Sequence, residues 1–242
     1  MTYSRTIEPE LLDTITADDP RAIRARYDLR RVNTIMGHTK IWKRLLHERI
    51  SPEQNQLPVN IVELGSGDGT LMLQLARTLA TQWPRSRLFL TDRHPAVNNK
   101  TLDAFAALGW QVVIVEADIM DWINNMPRCD LVVANLLLHH FNDRQLAGLF
   151  SHIAGRTGFF AACEPRRSSF ALLGSHLLGL IGCGPVARYD AVVSVHAGFS
   201  GTELSALWPD RNNWQIKESG AGLFSHTFIA QHPLPSKQAA PP

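Results

Sequence analysis

From Val59 to Cys163 the chain alternates short apolar runs with longer amphipathic stretches, and this alternation restricts the fold more than any other feature of the sequence. The runs at 59–64, 88–91, 112–115, 131–135 and 157–163 are rich in Val, Leu, Ile, Ala and Phe, with little polar interruption. A strand that is apolar on both sides has to be covered on both sides, which is the condition of a parallel sheet between two helical layers. The intervening segments 71–79, 96–108, 119–125 and 143–153 carry helical spacing. The expected fold is therefore α/β, doubly wound, on a mostly parallel seven-stranded sheet. Its last two strands come from 214–218 and 223–230, joined through Ser219-Gly220-Ala221-Gly222 as an antiparallel hairpin.

The flanks divide the chain further. Residues 20 to about 50 read as helical, with Gly37 as a divider, and the polar, proline-bounded 51–58 reads as a linker. The expected organisation is a helical leader or cap over 1–58, a main domain over 59–231 and a Pro- and Ala-rich disordered tail over 232–242. Within the domain, 168–200 is a lid-like apolar insertion, with a helix near 168–182 and an irregular stretch at 184–199.

Composition narrows the function classes. The 242 residues are 45% hydrophobic and 19% charged, a folding profile. Twenty-four basic against 22 acidic residues give a net charge of +2, too little field to hold a nucleic acid. Arg21, Arg24, Arg26, Arg30 and Arg31 crowd together with only Asp28 against them. They form either a solvated helix face or a clamp over a small acidic or phenolate ligand. Cys129, Cys163 and Cys183 are too few and too widely spaced for a disulfide framework or zinc site, and no cluster with metal-ligand spacing stands out, so no metal is expected. The start of the chain lacks a signal-peptide core, so a cytoplasmic location is expected. The apolar stretch 170–183 is too short to span a bilayer, so stable membrane insertion is not expected.

The strongest local signal is Glu63-Leu64-Gly65-Ser66-Gly67-Asp68-Gly69-Thr70, between a buried strand and a helix start. Glycines let the backbone turn sharply and approach a ligand closely, and a helix N-terminus offers free N–H groups. Thr70 stands where a dinucleotide fingerprint needs its third glycine, and no lysine completes a P-loop. Glu63 at the strand end suits a cationic ligand better than a pyrophosphate.

With these residues the sequence resembles the class I S-adenosylmethionine (SAM)-dependent methyltransferases of the small-molecule type, from Val59 to about Glu164. The glycine motif matches Glu63 to Gly69. The ribose-binding acid matches Asp92, with Arg93 beside it, and the adenine-contacting acid matches Asp118, with Ile119 beside it. The fourth motif matches Asp130 to Asn135. The resemblance implies SAM as cofactor, held by Glu63, Gly65, Ser66, Gly67, Asp68, Gly69, Asp92, Arg93, Asp118, Ile119 and Asn135. Asp92 and Asp118 also have a plain alternative as helix N-caps.

Methyl transfer from a sulfonium asks the protein mainly to position a nucleophile and to take its proton. Leu138-His139-His140 resembles the element that lies close to the acceptor in many such enzymes, which makes His139 and His140 candidate bases. Glu164, ending the fifth strand, is a third candidate, or else it pairs with Arg166 or Arg167. The leader run 27–37 looks like that of members acting on phenolic polyketides, quinones or lipid-like compounds, with Arg31 and Asn33 near the cofactor or acceptor. The expected activity is methylation of oxygen, or carbon, of a small hydrophobic hydroxylated acceptor, in a monomer or homodimer. The rival expectations are a catalytically inactive SAM-binding scaffold and a nucleic-acid or protein methyltransferase.

Overall fold

The computed structural model describes residues 4–16, 18–47 and 59–233. The expected linker at 51–58 and most of the expected tail lie outside them. Helices α1 (Pro20–Ile35) and α2 (His38–His47) precede β1 (Asn60–Leu64), α3 (Thr70–Leu79), β2 (Arg87–Asp92) and α4 (Asn99–Ala107). Then come β3 (Gln111–Glu116), α5 (Ile119–Trp122), β4 (Leu131–Asn135), α6 (Asp143–Ala154) and β5 (Phe159–Pro165). The chain ends with α7 (Ser169–Leu177), α8 (Pro185–Ala197), α9 (Glu203–Leu207), β6 (Gln215–Ala221) and β7 (Ser225–Gln231).

The seven strands form one sheet in the order β3-β2-β1-β4-β5-β7-β6. Strands β1 to β5 run parallel, and β7 lies antiparallel between β5 and β6. This is the expected doubly wound α/β architecture. The order reverses between β1 and β4, and the crevice beyond their carboxyl ends is where an open α/β sheet binds its ligand.

Period-two alternation divides the core into two layers. Val62, Leu64, Val132, Ala134, Phe160 and Ala162 face one side, where Phe150, Trp208 and Phe228 pack on them. Ile61, Leu131, Val133, Phe159, Ala161 and Cys163 face the other, against α3 and the Trp42 and Leu46 side chains of α2. Burying each large side chain contributes roughly 1.5–3 kcal/mol, so α2 is held to the sheet by its apolar face.

Two local expectations are corrected. The stretch expected to be irregular, 184–199, contains the regular helix α8, started by Pro185 at its first turn. A proline there loses no hydrogen bond and presets φ. Its run of Val192, Val193 and Val195 with a buried Asp190 hides the helical period. The strand expected to end at Glu218 runs on to Ala221, and the turn sits at Gly222 and after. Gly220 has no Cβ because the Arg166 guanidinium lies over it, 2.8 Å from where that carbon would be.

Gly37 does divide the leader, with φ +71 between α1 and α2. Asp28, opposite the arginine crowd, is fully buried: it accepts from the Gly184 N–H and pairs with Arg24 and Arg31. The carboxylate thereby ties α1 to the start of α8. The three cysteines are free thiols.

Candidate active site

The glycine loop leaves β1 with Gly65 at φ +70, a conformation that disfavours any side chain. A Cβ there would also lie 2.9 Å from Leu137 Cδ1, so the loop and the segment after β4 touch at a point that only glycine permits. The loop is pinned from β2: Gly65 and Ser66 N–H donate to Thr91 O, and Gly67 N–H donates to Asp92 Oδ2 at 2.8 Å. Asp68 caps Thr70 N–H and pairs with Arg30 of α1, so the leader helix lies over the loop.

Glu63 is buried, and its Oε2 has no hydrogen-bond partner among the described residues. Burial first, then the Asp68 and Asp92 charges, pushes its carboxyl well above the usual carboxylate range. The buried Ser66 hydroxyl is also unpartnered. Unpartnered buried polar atoms beneath a glycine-rich loop fit a polar ligand lying on that loop.

Asp92 is not a helix cap: α4 is capped by Asn98, and Asp92 instead accepts from Gly67 and His94 N–H. Asp118 does cap α5, accepting from Met120 N–H, and pairs with Arg93. These hydrogen bonds, acting against desolvation, hold its carboxyl below the usual range. Ile119 is buried in the core cluster behind it. Asn135 Oδ1 accepts from the indole N–H of Trp42 at 2.8 Å, so α2 orients the amide. His38 of α2 lies alongside, held neutral chiefly by burial with its pKa lowered to about 4.

Beyond Asn135 the backbone turns sharply. Leu136 has φ +53, unusual for a branched side chain, and its N–H donates to Cys163 O. The one-turn helix Leu138–His140 follows. It is anchored by Glu164, fully buried at the end of β5. Oε1 accepts from the N–H groups of Leu137 and Leu138 at 3.0 Å each, and Oε2 from His139 Nδ1 at 2.8 Å. Glu164 pairs with neither arginine: Arg167 bonds Glu203, and Arg166 bonds Gly222 O.

His139 is buried between two carboxylates, with Glu10 Oε1 3.3 Å from its Nε2. Burial alone would favour the neutral ring, but the hydrogen bonds and charges of Glu10 and Glu164 outweigh it and raise the pKa to about 9. At neutral pH His139 is an imidazolium with no lone pair to accept a proton. His140 has the opposite bias. Burial first, and then the neighbouring His139 charge, lowers its pKa and keeps the ring neutral. It is half-buried, with Nδ1 3.7 Å from Asp13. Of the three candidate bases, only His140 carries a free lone pair near the surface of the site. Glu10, His139 and His140 also place one ligand-type atom each within 4.8 Å of the others, a cluster the sequence spacing did not reveal. The shared His139 proton already supplies positive charge there.

Sequence reasoning missed Arg5, Glu10, Trp42 and His38. Arg5 donates to the carbonyls of His139, Phe141 and Ala197 and stacks on Phe199. The N-terminal segment is thereby closed over the histidine turn. Arg31 and Asn33 lie on α1; Arg31 bonds Ile181 O and Asp28.

Residues 61–157 match the family model described as a methyltransferase domain. Over these residues the chain carries a methyltransferase domain. No curated protein sequence matches the enzyme. Its fold is shared with several solved structures. The plantazolicin methyltransferase BpumL in complex with SAH is 11% identical over 89% of this chain and 92% of its own, with a TM-score of 0.63. Magnesium protoporphyrin IX methyltransferase (ChlM) from Synechocystis PCC 6803 with bound SAH is 14% identical over 81% and 84%, with a TM-score of 0.53. An O-methyltransferase family protein from Burkholderia thailandensis is 18% identical over 90% and 64%, with a TM-score of 0.53. Both BpumL and ChlM hold SAH, the product that SAM leaves after methyl transfer. Among the described residues no helix is long and apolar enough to cross a membrane.

Proposed function

We propose that this methyltransferase methylates oxygen, or carbon, of a small hydrophobic hydroxylated acceptor of the phenolic, quinone or polyketide kind. The observation that carries this reading is the pairing of a neutral, half-buried His140 with a cationic His139 at the turn after β4. When bound, SAM supplies a methyl group on a sulfonium, already activated for in-line displacement.

In this reading Gly65, Ser66, Gly67 and Gly69 bring the backbone against the methionine part, with Glu63 and Asp68 flanking it. Asn135, oriented by Trp42, would hold the ammonium. Asp92 would accept from the ribose hydroxyls with the lone pairs that Gly67 and His94 leave over, and Asp118, Arg93 and Ile119 would border the adenine. His140 receives the acceptor's hydroxyl proton, while His139 and Glu164 fix the turn that carries it. The small-molecule substrates named for BpumL and ChlM support the acceptor class, as does the O-methyltransferase family of the Burkholderia relative. The near-zero net charge argues against a nucleic-acid acceptor.

The test is a labelled-SAM assay on a panel of phenols, quinones and polyketides, with calorimetric SAM and NADH titrations beside it. Transfer to a hydroxylated aromatic that is lost in His140→Ala supports the reading. NADH binding without SAM binding, or transfer only to protein or nucleic acid, overturns it.

A further inference from the structure

We propose that the face formed by α7, the turn Leu178–Ile181 and the outer side of α1 docks on an anionic lipid surface. Phe170, Leu173, Leu177 and Leu180 recur at spacings of three and four, so they share one side of a continuous helical rod. That side is bare: Phe170 is 70% and Leu180 82% exposed, whereas Ala171 and Ser175 on the inner side are buried. The helix is already held from within, with Gly174 closed against the Phe224 ring. Its outer leucines therefore add nothing to the core. An apolar stripe of this length is unusual on a monomer surface and marks a contact.

The charges around the stripe identify the partner. No Asp or Glu occurs from Pro165 to Tyr189. The only acid of α1, Asp28, is fully buried beneath Arg24 and Arg31. Arg24 reaches Gly182 O, Arg31 reaches Ile181 O and Arg188 packs over Gly179, so three partly exposed guanidinium groups ring the apolar tip at Leu180. Beside them lies a shallow depression of about 300 Å³, lined by Tyr27, Arg30, Arg31, Thr34 and Ile35, where Arg30 already pairs with Asp68 and Arg31 is the second cation. Apolar side chains flanked by arginines are the pattern of a helix lying in the interface of an anionic bilayer. A second copy of the same face would bring arginines against arginines, so the charge pattern favours lipid over self-association. No helix among the described residues can span a bilayer, so docking through this face is peripheral. Docking does not depend on the acceptor; if the acceptor reading above holds, a hydrophobic acceptor partitions into the same surface.

Co-sedimentation of the full chain with phosphatidylcholine vesicles, alone or with about a third phosphatidylglycerol, tests this, with sedimentation equilibrium run in parallel. The expected result is at least ~10-fold stronger binding to the anionic vesicles, weakened by salt and reduced ~10-fold in Phe170→Ser/Leu180→Gln. Both positions are exposed, so SAM binding by calorimetry should be unchanged and certifies the fold of the variant. No binding to anionic vesicles, or equal binding by the double variant, overturns the proposal. So does a wild-type dimer that the double variant splits without any vesicle binding, which would assign the face to a second copy. Failure of the acceptor assay would leave these readings unaffected.

Discussion

His139 Nδ1 lies 2.8 Å from Glu164 Oε2, and both groups are buried. With Glu10 on the other ring nitrogen, the histidine is a buried cation between two anions, and its charge state becomes a stability term. Its folded pKa, raised to about 9, lies above the ordinary value near 6.5. The contribution is therefore complete below about pH 6.5 and is lost as pH rises through about 9, with a ceiling of order ~3 kcal/mol. Thermal melts from neutral to alkaline pH should show the wild type losing stability across that window and His139→Gln losing far less. A wild-type profile as flat as the variant's would remove the cation from the account.

Glu164 and His140 separate structure from chemistry. Glu164→Ala strands the Leu137 and Leu138 N–H groups and leaves the His139 charge facing Glu10 alone. Breaking a buried ion pair in this way costs about 3–5 kcal/mol, so melting temperature and activity should fall together. His140→Ala removes a half-buried ring that holds no backbone group, so kcat should drop roughly 10²–10⁴-fold while the melting temperature barely moves. Comparable losses of stability in both variants would place His140 in the scaffold instead.

The pattern of what was legible in the sequence has a physical reason. The strands and the glycine loop were readable because burial on two faces and positive φ both act on residues adjacent in the chain. The placement of Asp92 and Asp118 just at or after successive strands was readable because strand ends in a parallel sheet converge on one edge. Glu10, 129 residues from His139, and Trp42, 93 residues from Asn135, left no local trace, because contacts made by a leader folding over the sheet edge impose no spacing. The helix α8 was missed for a different reason. Its β-branched run and buried Asp190 obscure the period, and what stabilises it is packing on α7 and α1. Asp190 is buried because it accepts from the Leu11 and Leu12 N–H groups, which again belong to the leader.

The Trp42 contact is testable separately. Trp42→Phe keeps an aromatic ring in the core but removes the N–H that orients Asn135. A neutral hydrogen bond contributes about 1 kcal/mol, so SAM affinity should weaken roughly five-fold, with kcat at saturating SAM nearly unchanged. Unaltered affinity, measured by calorimetry, would mean that the Asn135 amide needs no brace.

Gly65 is where the glycine loop and the histidine turn meet, and its replacement separates two sources of strain. Gly65→Ala places a Cβ 2.9 Å from Leu137 Cδ1 and forces a side chain into φ +70. The left-handed backbone alone costs about 1–2 kcal/mol, and the contact adds to it by pushing on the turn that Glu164 anchors. SAM affinity and activity should both fall at least ~10-fold, a change corresponding to about 1.4 kcal/mol. Leu137→Ala introduced into the same variant removes the contact but not the φ penalty, so the double variant should recover part of the SAM affinity. Full recovery would show that the backbone conformation carries no cost at this position. No recovery would show that Leu137 gives way freely, and that the loop and the histidine turn are not mechanically connected through it.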